Sequence, residues 1–164
     1  MRSMAVVVWE ELPVYLEKLK EDYFRFVLTC GSFDILNLGH LRYLEDCRKH
    51  GDCLIVGIDS DQLIKKHKGN DRPYYPQADR AELVAGLKPV TCTVVFDNIM
   101  DLVKIVQPKF FVVSPTTKIR PPGRPELDLV MRQGGQVIYV PSRYDGHTTD
   151  LVEQILNFKP AQNQ

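Results

Sequence analysis

Residues 25–47 read RFVLTCGSFDILNLGHLRYLEDC, and the change of pattern halfway along this stretch sets the architecture. Residues 25–30 are a β-rich apolar run that stops at Gly31. From Leu38 the pattern turns helical over 38–50, with Leu41, Leu44 and Cys47 on one side. A strand that gives way to a helix after a short turn opens a βα unit.

Working outward, the same alternation repeats. The run CLIVGI at 53–58 is apolar without alternation, as expected of a strand covered on both faces. A polar, basic stretch follows over 59–77, then a helix at 78–87, a strand at 91–96, a helix at 99–106 and a strand at 110–113. KIRPPGRP at 118–125 is a basic, Pro-rich loop, and 125–133 reads as a helix ending at Gly134-Gly135. A strand at 136–140, a helix at 148–158 and a frayed tail at 159–164 complete the chain. Upstream, Leu12, Tyr15, Leu16 and Leu19 have the spacing of one helical face, and Pro13 falls in the first turn, where a missing N–H costs little. Five strands alternating with helices predict an α/β fold: a Rossmann-like, doubly wound, five-stranded parallel sheet with helices on both faces. One domain spans 1–164, with 1–24 as a lead-in helix. Ligands of such sheets bind beyond the carboxyl ends of the strands, where the strand order reverses, and the first strand is expected to end there.

Bulk properties narrow the function. The 164 residues carry 26% charged and 44% hydrophobic residues with a formal net charge of +0. Nucleic acid or an anionic membrane as partner would favour a strongly basic face. Cys30, Cys47, Cys53 and Cys92 form no CxxC pair and no zinc-finger spacing with His, so reduced thiols are expected. The apolar run at 4–9 is too short to cross a bilayer and lacks a secretory cleavage pattern, so a cytoplasmic location is expected.

The chemistry concentrates in GSFDILNLGH at 31–40. Gly31 removes a Cβ where a phosphate would approach the backbone. The turn and the helix start at Leu38 offer unpaired N–H groups and the positive end of a helix dipole. Asn37 sits where its amide can cap the helix or donate to an anion, and His40 lies in the first turn. The pattern is neither a Walker A loop nor a dinucleotide glycine fingerprint.

This segment resembles the signature of the cytidylyltransferase-like nucleotidyltransferases, a strand followed by Gly-x-Phe-Asp-x-x-His-x-Gly-His. Every fixed position is met except the first His, replaced here by Asn37. WEELPVYLEKLKEDYFRFVLTCGSFD at 9–34 is similar to the lead-in helix and first strand of the heptose 1-phosphate adenylyltransferase branch. That branch also has Lys-Gly-x-x-Arg-Pro before a helix carrying an Arg, matched by KGNDRP at 68–73 and by Arg80. DGHTT at 145–149 resembles the family's Ser-Thr-Thr segment, with His147 in place of the Ser.

The resemblance implies transfer of a nucleoside monophosphate, AMP favoured and CMP possible, from an NTP to a small phosphorylated acceptor, with release of pyrophosphate. It assigns His40 to the triphosphate, Asn37 to the place of the missing His, Lys68 to a mobile phosphate-binding cation and Arg80 to bidentate phosphate contact. Cys30, Gly31, Ser32, Phe33 and Gly39 would surround the nucleotide, and His147, Thr148 and Thr149 would hold the outer phosphates. Asp34 would orient the loop or touch the acceptor, and Lys118 and Arg143 would contact substrate. Mg²⁺ accompanies the NTP; its ligands are not legible. A homodimer is compatible with the family. The pantetheine-phosphate adenylyltransferase branch has Thr at the position of Asn37, so an uncharged donor there is compatible with activity. The rival reading is a nucleotide-binding regulatory or scaffold protein that lost turnover through Asn37. Outside the motif, Tyr74 and Tyr75 fit either the crevice or the core, and His50 and His67 have no role beyond facing solvent.

Overall fold

The computed structural model describes residues 5–23, 25–115, 123–141 and 148–157. These form a parallel sheet of six strands: β1 (Ala5–Val7), β2 (Phe26–Gly31), β3 (Cys53–Asp59), β4 (Cys92–Phe96), β5 (Phe110–Val113) and β6 (Gln136–Tyr139), in the order β1-β4-β3-β2-β5-β6. The helices are α1 (Leu12–Asp22), α2 (Leu38–Arg48), α3 (Asp61–Lys68), α4 (Gln77–Ala85), α5 (Ile99–Val106), α6 (Pro125–Arg132) and α7 (Thr148–Leu156).

Sequence patterning anticipates five of the strands; the sixth, β1, is an addition. Its three residues, AVV, are too few to show a period, and only the parallel register Ala5↔Cys92, Val6↔Thr93, Val7↔Val94 makes them a strand. Helix α3 is likewise hidden inside the polar stretch. Ser60 caps it, its Oγ accepting from the Leu63 N–H at 3.1 Å, and Ile64 alone within it is buried. One buried residue in two turns leaves no apolar stripe to read.

Alternate residues of the central strands feed two cores. Phe26, Leu28 and Cys30 of β2 pack with α1, α5 and α6 through Leu12, Leu16, Leu102, Val103 and Val130. Val27 joins Leu54, Val56 and Ile58 against Leu44 and Cys47 of α2 and Ala81 and Val84 of α4. Burying such a side chain on either face contributes roughly 1.5–3 kcal/mol before entropy. Covering both faces is what a continuous apolar strand requires. From β2 the chain steps outward to β3 and β4, then returns to place β5 on the other side of β2. The order therefore reverses between β2 and β5, where Gly31 and Val113 end their strands.

Candidate active site

At this reversal the chain leaves β2 in a constrained turn. Phe33 and Ile35 take left-handed φ values of 48° and 53°. Such conformations cost of order 1–3 kcal/mol and persist only where the surroundings hold them. The Phe33 ring is buried and folds back under the strand end, so a Cβ on Gly31 would lie 3.0 Å from its Cε2. Gly31 thus makes room for Phe33, a use its position in the sequence did not suggest.

The ring of Phe33 lies 5.5 Å, centroid to centroid, from that of His40. His40 is the third residue of α2 and shares a reciprocal cap with Asn37. Oδ1 of Asn37 accepts from the His40 backbone N–H at 3.2 Å, and the Asn37 backbone N–H donates to Nδ1 of His40 at 3.2 Å. This is a capping box with His where Glu or Gln usually stands. Because Nδ1 accepts, the neutral ring carries its proton on Nε2. Burial pushes the imidazole down to about 4, helped by nearby Lys68 and opposed by Asp34. At neutral pH His40 is therefore an uncharged N–H donor.

The opposite wall is tied together by charge. The Ser32 hydroxyl donates to Oδ2 of Asp59 at 3.1 Å and accepts from Nζ of Lys68 at 3.3 Å. Lys68 ends α3, and partial enclosure lowers its basicity, with Arg72 and Arg80 acting the same way and Asp59 and Asp34 against it. Asp34 is buried and accepts from the backbone N–H of Tyr74 at 3.0 Å, from that of Tyr75 at 3.1 Å and from Nη1 of Arg72 at 3.2 Å. Arg72 also lies over the Tyr74 ring, 4.1 Å from its centroid. Both tyrosines remain exposed, so core packing is not their role.

Arg80 departs from the bidentate phosphate contact expected of it. Its side chain is wholly buried, donating from Nε to Tyr75 O at 2.9 Å, from Nη1 to Ser32 O at 2.5 Å, and from Nη2 to Asp59 O at 2.7 Å and Asp61 Oδ1 at 2.9 Å. The planar fork satisfies three backbone carbonyls that converge at the strand ends. It builds the wall and does not present its face to a ligand. Cys30 also departs from expectation: it packs into the core beneath β2, where a Cβ on Gly57 would lie 2.8 Å from its Sγ.

Gly39 is the second residue of α2, beside the cap. Helix α7 opens with Thr148 and Thr149, as the sequence indicates, but their side chains lie outside the described residues. Lys118, Arg143 and His147 also lie outside them. Sequence reasoning passed over Arg72, Asp59 and Asp61. The first stood in the quoted KGNDRP, and an acid closing the apolar run CLIVGID was a readable sign of a strand end facing polar groups. Among the described residues no three His, Cys, Asp or Glu side chains converge as a metal site. No helix among them is long and apolar enough to cross a membrane.

The cytidylyltransferase-like family model matches residues 28–154, from the first buried strand into the last helix. The chain belongs to this family of nucleotidyltransferases. Among curated relatives, Bifunctional protein HldE of a Nitratiruptor species is 45% identical over 106 residues, covering 63% of this chain and 23% of that protein. Bifunctional protein HldE of Desulfatibacillum aliphaticivorans is 29% identical over 150 residues, 90% of this chain and 30% of that protein. This cytidylyltransferase-like chain therefore spans less than a third of those relatives' length. Among solved structures, the lipopolysaccharide core biosynthesis protein from Thermoplasma volcanium GSS1 superposes with a TM-score of 0.61 at 27% identity, covering 74% of this chain and 98% of that one.

Proposed function

We propose that the protein transfers a nucleoside monophosphate, AMP in preference to CMP, from an NTP to a sugar 1-phosphate or related polyol phosphate. The observation that carries this reading is the His40 ring, held as a neutral donor in the first turn of α2, at the strand-order reversal. A phosphate oxygen of the acceptor attacks the α-phosphorus in line, the bond to the β-phosphate oxygen breaks, and pyrophosphate leaves. Such transfer depends on positioning and charge stabilisation, with little covalent work for the protein.

In this reading the N–H groups opening α2 and Nε2–H of His40 face the phosphates, and Lys68 swings from Ser32 to meet them. Arg72 adds a second cation at the rim. Mg²⁺ would enter with the nucleotide and neutralise charge on its phosphates. The heptose and AMP preferences both rest on the resemblance of residues 9–34 and 68–73 to the heptose 1-phosphate adenylyltransferase branch. A cytoplasmic location and a homodimer belong to the same proposal.

The test measures pyrophosphate release with each of ATP, CTP, GTP and UTP against a panel of sugar 1-phosphates and polyol phosphates, with Mg²⁺. ATP with a heptose 1-phosphate is expected to give the highest kcat/KM. His40→Ala is expected to lower kcat by about 10²-fold or more while the far-UV circular dichroism is retained. Saturable nucleotide binding without release for any acceptor would favour the regulatory or scaffold reading.

A further inference from the structure

Asn37 occupies the one fixed motif position at which this chain differs from its family's signature, and its side chain is not idle there. Its Oδ1 holds the His40 backbone N–H, while its own backbone N–H holds Nδ1 of the His40 ring. The two bonds close one small ring of contacts across the first turn. The backbone bond sets the tautomer, and the side-chain bond holds the first turn in the geometry that keeps the ring within reach of that N–H. Together they pin both the helix start and the ring.

Resting on the transferase reading above, we infer that Asn37 is a positioning residue: its cap on α2 locks His40 as the Nε2–H tautomer and directs that single donor to the nucleotide. Asn37 thereby compensates for the missing imidazole at its own position. Asn is among the strongest N-caps, because its short amide reaches the N–H of the third helical residue without strain. Its extended backbone, φ −140° and ψ 176°, is the conformation a cap requires, and the same extension aims its N–H at the ring. The Phe33 ring, 5.5 Å from that of His40, backs the imidazole from another side. Phe33 limits where the ring can go, the backbone N–H of Asn37 decides which nitrogen carries the proton, and the Asn37 side chain holds the turn that brings the two together.

The test reads the ring directly. Long-range ¹H–¹⁵N correlation spectra of protein labelled at the histidine ring nitrogens, recorded near neutral pH, report the tautomer of each imidazole, with His40→Gln identifying the His40 signals. In the wild type, His40 is expected to be the Nε2–H form. Asn37→Ala is expected to give tautomer averaging at His40 and to lower kcat about five- to tenfold, with KM for the NTP changed less than about twofold, the size of one lost cap. Asn37→Ser, which can still cap, is expected to restore both the tautomer and most of kcat. An Nδ1–H or averaged ring in the wild type would overturn the inference, as would an Asn37→Ala ring that keeps the Nε2–H form. The spectra decide this whether or not turnover is found. Absence of transfer with every acceptor, alongside a wild-type Nε2–H ring, would bring down the transferase reading and leave the positioning role standing.

Discussion

His40 combines two properties that a surface histidine lacks: one ring nitrogen bound to the backbone of its own cap, and a basicity lowered by burial to about 4. The linkage sign follows from the two states. In the unfolded chain the ring titrates near 6.5, so between that value and about 4 the unfolded state binds a proton that the folded state refuses. The stability contributed by His40 is complete above pH 6.5 and is lost as pH falls towards 4. The slope is at most about 1.4 kcal/mol per pH unit. His40→Gln keeps a residue suited to the third position of a capping box and removes the titration. Denaturant unfolding of the two proteins across roughly pH 4–7 is expected to show the wild type losing stability faster over this interval. Parallel curves would show that burial does not hold the ring neutral.

The loop after β2 and the segment before α4 are joined by reciprocal charges. Asp34, on the first, holds the N–H groups of Tyr74 and Tyr75. Arg80, on α4, holds carbonyls of Ser32, Asp59 and Tyr75. Orienting the loop was one of the two roles the resemblance implied for Asp34, whereas the inward role of Arg80 was not legible in the sequence, where it looks suited to a ligand. A buried guanidinium is stable only when its donors are satisfied, and a loop with converging carbonyls needs such a donor set. Arg80→Lys keeps the charge but cannot reach all these acceptors. It is expected to lower unfolding free energy by roughly 3–5 kcal/mol without nucleotide, measured by urea denaturation. A surface phosphate ligand would show the reverse: unchanged stability and weakened nucleotide binding only.

The molecule as a whole rests on a sheet whose two faces are filled by alternate residues of the same strands. At its edge β1 divides cleanly: Val7 is 5% exposed and Val6 48%. Val7→Asp places an unpaired charge in the core and is expected to cost more than about 3 kcal/mol, whereas Val6→Asp stays within about 0.5 kcal/mol. Thermal melts of both variants check this. Equal losses would mean that β1 does not pair with β4 in the register described.

The sequence by itself determined the α/β class, the boundaries of the longer strands and helices, and the placement of Asn37 and His40 at a helix start. Apolar runs, period and capping chemistry act over a few neighbouring residues and leave their mark in the chain. Tertiary structure alone decided that Ala5–Val7 is a strand, that Gly31 yields to Phe33, and that Arg80 faces inward. Each of these depends on which distant backbone groups lie opposite, and partners remote along the chain meet only once the sheet has closed around them.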